Sequence, residues 1–203
     1  GTIGATFFVI GIGLLYSVTG TLNMADLAVR IADHGDSSTL RMGFVLILLG
    51  IGLKLAMFPL HLWLPNAYAY APSAVTAFLA ATATKVAVYV MLRFMFTVLG
   101  FDYEFQADTL RMVVLPLAII AMFAASLVAI FQDDLKRMLA YSSVAQIGYI
   151  LLGLSFLNET GITSSVVHLF NHAVTKAALF MVAGCFIFSA GTSSISKLAG
   201  IGR

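Results

Sequence analysis

The sequence predicts an all-α, polytopic membrane protein of about six transmembrane helices, one of them broken by a proline. Three observations predict it. Only 10% of the residues are charged and 61% are hydrophobic, against about 25% charge in an average soluble domain, and the mean hydropathy is +1.01. Six stretches come close to the roughly 20 mostly apolar residues that cross a bilayer as a helix. One of them holds Lys54, Pro59 and His61 inside the apolar run Leu53 to Pro65. A cation there costs about 2.5–3.5 kcal/mol on insertion scales. Pro59 removes a backbone donor and clashes with the carbonyl four residues back, at Leu55. A helix serving only as an anchor carries neither.

The first span runs from about Thr2 to Val18, where Gly4, Gly11 and Gly13 permit close helix approach. Gly20 to Arg41 reads as a polar loop with Asp26, Arg30, Asp33, His34 and Asp36, and His34 is expected to be solvated among these acids. The second span, Met42 to Leu64, contains the lysine and the break. Pro65 to Pro72 reads as a short uncharged turn, its prolines stopping and restarting helices and its tyrosines suiting a membrane interface. The third span, Ser73 to Leu99, has Lys85 near its middle and Arg93 nearer its far end, and an acidic loop of Asp102, Glu104 and Asp108 follows. The fourth, Val113 to Phe131, has no ionisable residue and reads as packing against lipid or neighbouring helices. Gln132 to Arg137 is a compact charged loop. The fifth span, Met138 to Leu157, carries Ser142, Ser143, Ala145, Gln146 and Gly148. The sixth, Ile162 to Ala190, carries His168, His172 and Lys176.

Several function classes drop out. A net charge of +2 without a basic run argues against nucleic acid. The single cysteine, Cys185, provides neither a disulfide framework nor an iron–sulfur ligand set. No cofactor is expected in this chain. Starting at Gly1 without a cleavage signal, the sequence reads as part of a longer protein, with residues 1–203 forming one partial transmembrane domain. Six spans put both ends on one side. Lys136, Arg137, Lys197 and Arg203 there, against Arg30, Arg41 and Arg111 opposite, favour cytoplasmic ends.

The charges inside the apolar spans point to chemistry. They are Lys54, Lys85, Lys176 and Arg93, with His61, His168 and His172, and no Asp or Glu lies within the spans as bounded above. Lysines at such depth are neutral, paired or turned to a watery cavity. One whose carboxylate partner moves or protonates is a switchable proton carrier, and that partner must come from elsewhere. His168, His172 and Lys176 are spaced i, i+4, i+8 on one helix face, about 6 Å apart at 1.5 Å rise per residue. A single water bridges such a gap, Asn171 and Thr175 lie beside the face, and histidine titrates near neutrality. This face predicts a proton wire.

Blander readings stay open. Lys54 could cap carbonyls freed by Pro59, Lys85 and Arg93 could snorkel to the interface, and His61 could hydrogen-bond the broken backbone. The histidine–lysine face could be a polar seam between helices, as could Ser142 with Gln146. A zinc site is poorly supported, since His168 and His172 lack a third ligand nearby.

Four ordered stretches resemble a known family. They are KLAMFPLHLWLPNAYAYAP (54–72), AATATKVAVYVMLRF (80–94), DDLKRMLAYSSVAQIGYILLG (133–153) and HLFNHAVTKAALF (168–180). They resemble the proton-pumping antiporter-like subunits of respiratory complex I and, equally, the large subunits of multisubunit sodium/proton antiporters. The resemblance implies a subunit of about fourteen helices in two inverted halves, of which this chain would hold the sixth to eleventh. It implies that Lys54 is the broken-helix lysine paired with a glutamate on an earlier helix and that Lys85 is the next lysine on the axis. His168, His172 and Lys176 would belong to the later connecting and exit path. The last two motifs and the ending ISKLAGIGR look most like the D-type antiporter subunit.

The expected function is therefore proton translocation through buried Lys and His residues, as part of a multisubunit cation/proton antiporter in a bacterial plasma membrane. The alternatives are a complex I subunit (NADH-quinone oxidoreductase) or a related membrane-bound hydrogenase, with any redox chemistry belonging to the whole complex. Expected partners are other membrane subunits, lipid, protons and, in the antiporter, sodium. A secondary transporter of an organic anion and a purely structural scaffold are competing classes. The first requires a substrate-sized cavity around Lys54 and Lys85.

Overall fold

A computed structural model describes residues 1–34, 37–100 and 103–200, with Asp33 and His34 described by their backbone alone. The expectations for the side chains of Asp33, His34, Asp36, Asp102 and Arg203 lie outside what it describes. Among the described residues there are nine α-helices, seven of which make up, or belong to, six segments long and apolar enough to span a bilayer. Numbered along the chain, the spanning segments pack in the spatial order first, second, third, sixth, fifth, fourth.

Helix α1 (Thr2–Thr19) lies against α3 (Ser38–Leu55) through paired glycines. A Cβ on Gly50 would sit 2.6 Å from the Gly4 carbonyl oxygen, and one on Gly11 2.8 Å from that of Gly43. Gly13 plays no part. It lies off this face, exposed, with nothing within 4 Å of where its Cβ would be.

Between them the expected polar loop holds a helix, α2 (Met24–His34). Asn23 starts it by accepting the Ala25 amide at 2.9 Å, as an N-cap does. Leu27 and Ile31 are buried on one face, and Arg30 bridges to Asp26 (3.0 Å) and to the Thr19 carbonyl (3.0 Å) on the other. An amphipathic helix this polar does not stand out by apolar content.

Helix α3 stops at Leu55, four residues before Pro59, where the clash of the proline ring was expected. Ala56 takes a left-handed conformation (φ 60°), and the Met57 amide returns to the Gly52 carbonyl at 2.9 Å. This is a Schellman closure, with Ala in place of the usual Gly. The Phe58–Pro59 peptide is cis. The segment 56–62 is not helical, so the second span ends earlier than Leu64. The expected turn 65–72 is instead largely occupied by α4 (Trp63–Tyr70). Pro65 falls in the first turn of α4, where its missing N–H has no helical partner to lose. Pro72 holds Ala71 extended (ψ 151°) and ends the helix.

Helix α5 (Ser73–Leu92) runs on through a π-helical turn, Arg93–Val98, as the third span. The acidic loop is likewise helical. Helix α6 (Glu104–Thr109), a π-helical turn Leu110–Val114 and α7 (Leu115–Ile130) form one segment. Pro116 explains the widened turn, because its ring cannot accept an ordinary α turn against the carbonyl of Met112. Glu104 and Asp108 thus sit in the first turns of a spanning segment, and Glu159 in that of α9. All three are exposed near helix N-termini, which suits their charge.

Helix α8 (Leu135–Ser155) begins inside the expected charged loop. Asp134 caps it by accepting the Arg137 amide at 2.8 Å, so Lys136 and Arg137 are helical. Gly148 lets it approach the alanine stripe of α7, Ala118 and Ala121. Helix α9 (Glu159–Ala190) is capped by Asn158 and closed by Gly191 at φ 68°. Beyond it, residues 193–196 fold back onto Asp133 and Asp134. The Leu135 amide donates to the Ser193 carbonyl at 2.8 Å, and the Ile195 amide to the Asp133 carbonyl at 2.6 Å.

Candidate functional site: a buried lysine–histidine cluster

Three helices bring basic side chains together. Lys85 on α5, and His172 and Lys176 on α9, are 8%, 4% and 2% exposed, and α9 packs against both α5 and α8. Lys85 lies within Coulombic reach of His172 and Lys176. The Lys85 ammonium donates to the Ala80 carbonyl at 2.6 Å. That of Lys176 donates to the Leu139 carbonyl and the Ser142 hydroxyl, each at 2.9 Å. Both lysines are held by neutral oxygens, and among the described residues neither meets a carboxylate. Carbonyl and hydroxyl dipoles make an ammonium tolerable at depth without the full charge of an ion pair.

The i, i+4 spacing holds in three dimensions. The rings of His168 and His172 are 6.2 Å apart between centroids and 8° from parallel. Among the described residues, both ring nitrogens of His172 and Nε2 of His168 are buried without a hydrogen-bond partner. His168 also meets Tyr149 edge-on at 6.1 Å. It lines an open cleft of about 440 Å³ shared with Tyr149, Ser164, Ser165 and Asn171. One face of α9 therefore leads from a polar cleft at His168, through His172, to the buried ammonium of Lys176. Thr175 is exposed beside it.

Lys54 stands apart. Its side chain is exposed at the last turn of α3, outside the buried cluster. Arg93 is exposed in the π-helical turn. His61 is buried in the break, stacked on Phe58 at 5.2 Å and edge-on to Tyr141 at 6.3 Å. Its Nδ1 has no hydrogen-bond partner among the described residues. Instead, Trp63 serves the broken backbone, its Nε1 donating to the Leu53 carbonyl at 2.8 Å. Ser142 makes the interhelical hydrogen bond expected of it, to Lys176, whereas Gln146 makes none among the described residues. Nothing in the sequence marks the donor role of Trp63, and only a polar group inside an apolar run hints at the acceptor role of Ser142. No group of three or more His, Cys, Asp or Glu side chains that could hold a metal ion occurs among the described residues.

Known proteins share this arrangement of helices. The family model described as NADH:quinone oxidoreductase/Mrp antiporter, TM, matches residues 1–202. The chain is 42% identical over 203 residues to the N-type subunit of the NADH-quinone oxidoreductase of Desulforudis audaxviator (strain MP104C), covering 100% of this chain and 40% of that protein. It is 34% identical over 194 residues to the D-type subunit of the Na(+)/H(+) antiporter of Alkalihalophilus pseudofirmus, covering 96% and 38%. A chain of the membrane-bound sulfane sulfur reductase, an archaeal respiratory membrane complex, superposes with TM-score 0.87 at 33% identity, over 97% of this chain and 40% of that one. The chain thus spans about two fifths of the length of the relatives it matches.

Proposed function

The chain belongs to the NADH:quinone oxidoreductase/Mrp antiporter transmembrane family, and from that premise we propose that it is part of a subunit that moves protons across a membrane. One observation carries the proposal. Lys85, His172 and Lys176 are buried together in spanning helices, with neutral oxygens rather than carboxylates as partners of the two ammoniums. An anchor or scaffold gains nothing from this arrangement, whereas a relay needs groups that can exchange protons. Residues 1–203 are one partial transmembrane domain of that subunit, set among other membrane subunits and lipid in a bacterial plasma membrane, with the end that carries Lys136 and Arg137 facing the cytoplasm.

In this reading the break at 56–62 lets Lys54 respond to a carboxylate supplied by another part of the assembly. The change in charge at Lys54 biases Lys85. Protons then pass through His172 between Lys85, Lys176 and the cleft at His168. The exposure of Lys54 on the flank of α3 supports a partner packed there.

Two hosts are in view. Identity favours a quinone oxidoreductase, at 42% against 34%, while motif style favours the cation antiporter. Proton flux in vesicles holding the assembled complex separates them, since flux that depends on sodium marks the antiporter. The same assay tests the proposal itself. Lys54→Ala is expected to abolish flux while the complex still assembles, and unchanged flux would overturn the reading.

A further inference from the structure

Helix α8 touches the broken helix and the buried lysine within two turns. Lys136, 5% exposed in the first turn of α8, donates its ammonium to the Ala71 carbonyl at 2.7 Å. Its neighbour Arg137 donates to Asn66 Oδ1 at 2.6 Å and sits over the ring of Tyr70. The first contact lands on Ala71, the residue that caps the C-terminal end of α4, the short helix that follows the break, and the second lands on α4 itself. Tyr141, one turn further along α8, meets His61 inside the break. Leu139 and Ser142, between and beyond these positions, hold Lys176. A buried cation at a helix N-terminus is opposed by the dipole of its own helix. Here the cation meets the C-terminal carbonyl end of α4, where positive charge is favoured. The contact therefore reads as a fastening between two helices rather than as local capping.

We propose that Lys136 is a positioning residue. It locks α4 to α8, so that any change in the break at 56–62 is transmitted to the hydrogen bonds between α8 and Lys176. This inference rests on the proton-translocating reading of the cluster. Rigid helices carry such coupling when both sites bias one shared element, and α8 is that element.

The test is a double-mutant cycle on proton flux by the assembled complex. Lys136→Met and Ser142→Ala are each expected to lower flux about tenfold, the scale of losing a charge-assisted hydrogen bond. The double variant should be no slower than the slower single variant, because both act through one element. Lys136→Arg, which keeps a donor, should recover most of the flux. Lys136→Met and Ser142→Ala should also shift the pH profile of flux in the same direction. Effects that multiply, or pH profiles that move independently, would overturn the inference. If Lys136→Met fails to assemble, Lys136→Gln replaces it in the cycle, since its shorter neutral amide cannot reproduce the charged bond to the Ala71 carbonyl. Failure of the cycle while Lys176→Met still abolishes flux would sink this coupling alone. Unchanged flux in every variant would sink the functional reading beneath it.

Discussion

The rings of His168 and His172 stack 6.2 Å apart and nearly parallel on one face of α9. Each has a ring nitrogen buried without a partner among the described residues. A neutral imidazole accepts a proton at one ring nitrogen and donates one from the other, which is what a relay step between these positions requires. His172→Leu is expected to lower proton flux about a hundredfold, the scale of removing a proton-transfer group, with assembly unchanged. Flux measured in vesicles, beside the amount of assembled complex, checks it.

The contact between α1 and α3 depends on glycine. A Cβ at Gly50 would lie 2.6 Å from the Gly4 oxygen and 2.7 Å from the Phe8 nitrogen, both backbone atoms that cannot swing away. Gly50→Ala is expected to destabilise the protein by about 1–3 kcal/mol. Gly13→Ala, with open space around it, is expected to be neutral or stabilising by up to about 1 kcal/mol. Thermal unfolding of the purified protein compares the two.

Trp63 spans the break by donating to the Leu53 carbonyl. Trp63→Phe keeps the ring and loses the donor, and is expected to cost about 1 kcal/mol of stability. Hydrogen exchange should report the loss as faster exchange in 56–62 than in the body of α3.

The fold-back of residues 193–196 is pH-sensitive by construction. Asp133 accepts the Ser194 hydroxyl at 2.7 Å and the Ser196 amide at 2.9 Å, and these bonds hold its carboxyl below the usual carboxylate range. A depressed folded-state pKa contributes stability that is fully present above the unfolded value, about 3.9. That stability is lost as pH falls through the folded value. Protection of the Ser196 amide should be constant from neutral pH down to about pH 4, disappear below that, and be absent at every pH in Asp133→Ala. Amide exchange followed against pH reads this directly.

Much of this was legible in the sequence, for identifiable reasons. The six spans stand out because lipid demands unbroken apolar length. The α9 face was readable because 168, 172 and 176 share one helix, where spacing alone fixes proximity. Pro59 marked the break because its clash falls on a known carbonyl. Helix α2 escaped because its apolar residues, Leu27 and Ile31, are too few to stand out from a polar stretch. Helix α4 escaped because Pro65 and Pro72 look alike on paper, yet one opens a helix and the other closes it. The partners of the buried cations were out of reach. Lys176 meets Ser142 across 34 residues and Lys136 meets Ala71 across 65, and only the packed helices bring them together.

The most direct test replaces Lys176 with methionine, which keeps the bulk of the buried stem and removes the ammonium. Proton flux is then measured in vesicles containing the assembled complex. Lys176→Met should leave assembly intact and abolish proton flux, as should Lys85→Met. Full proton flux through a complex carrying either substitution would contradict a relay built on this cluster.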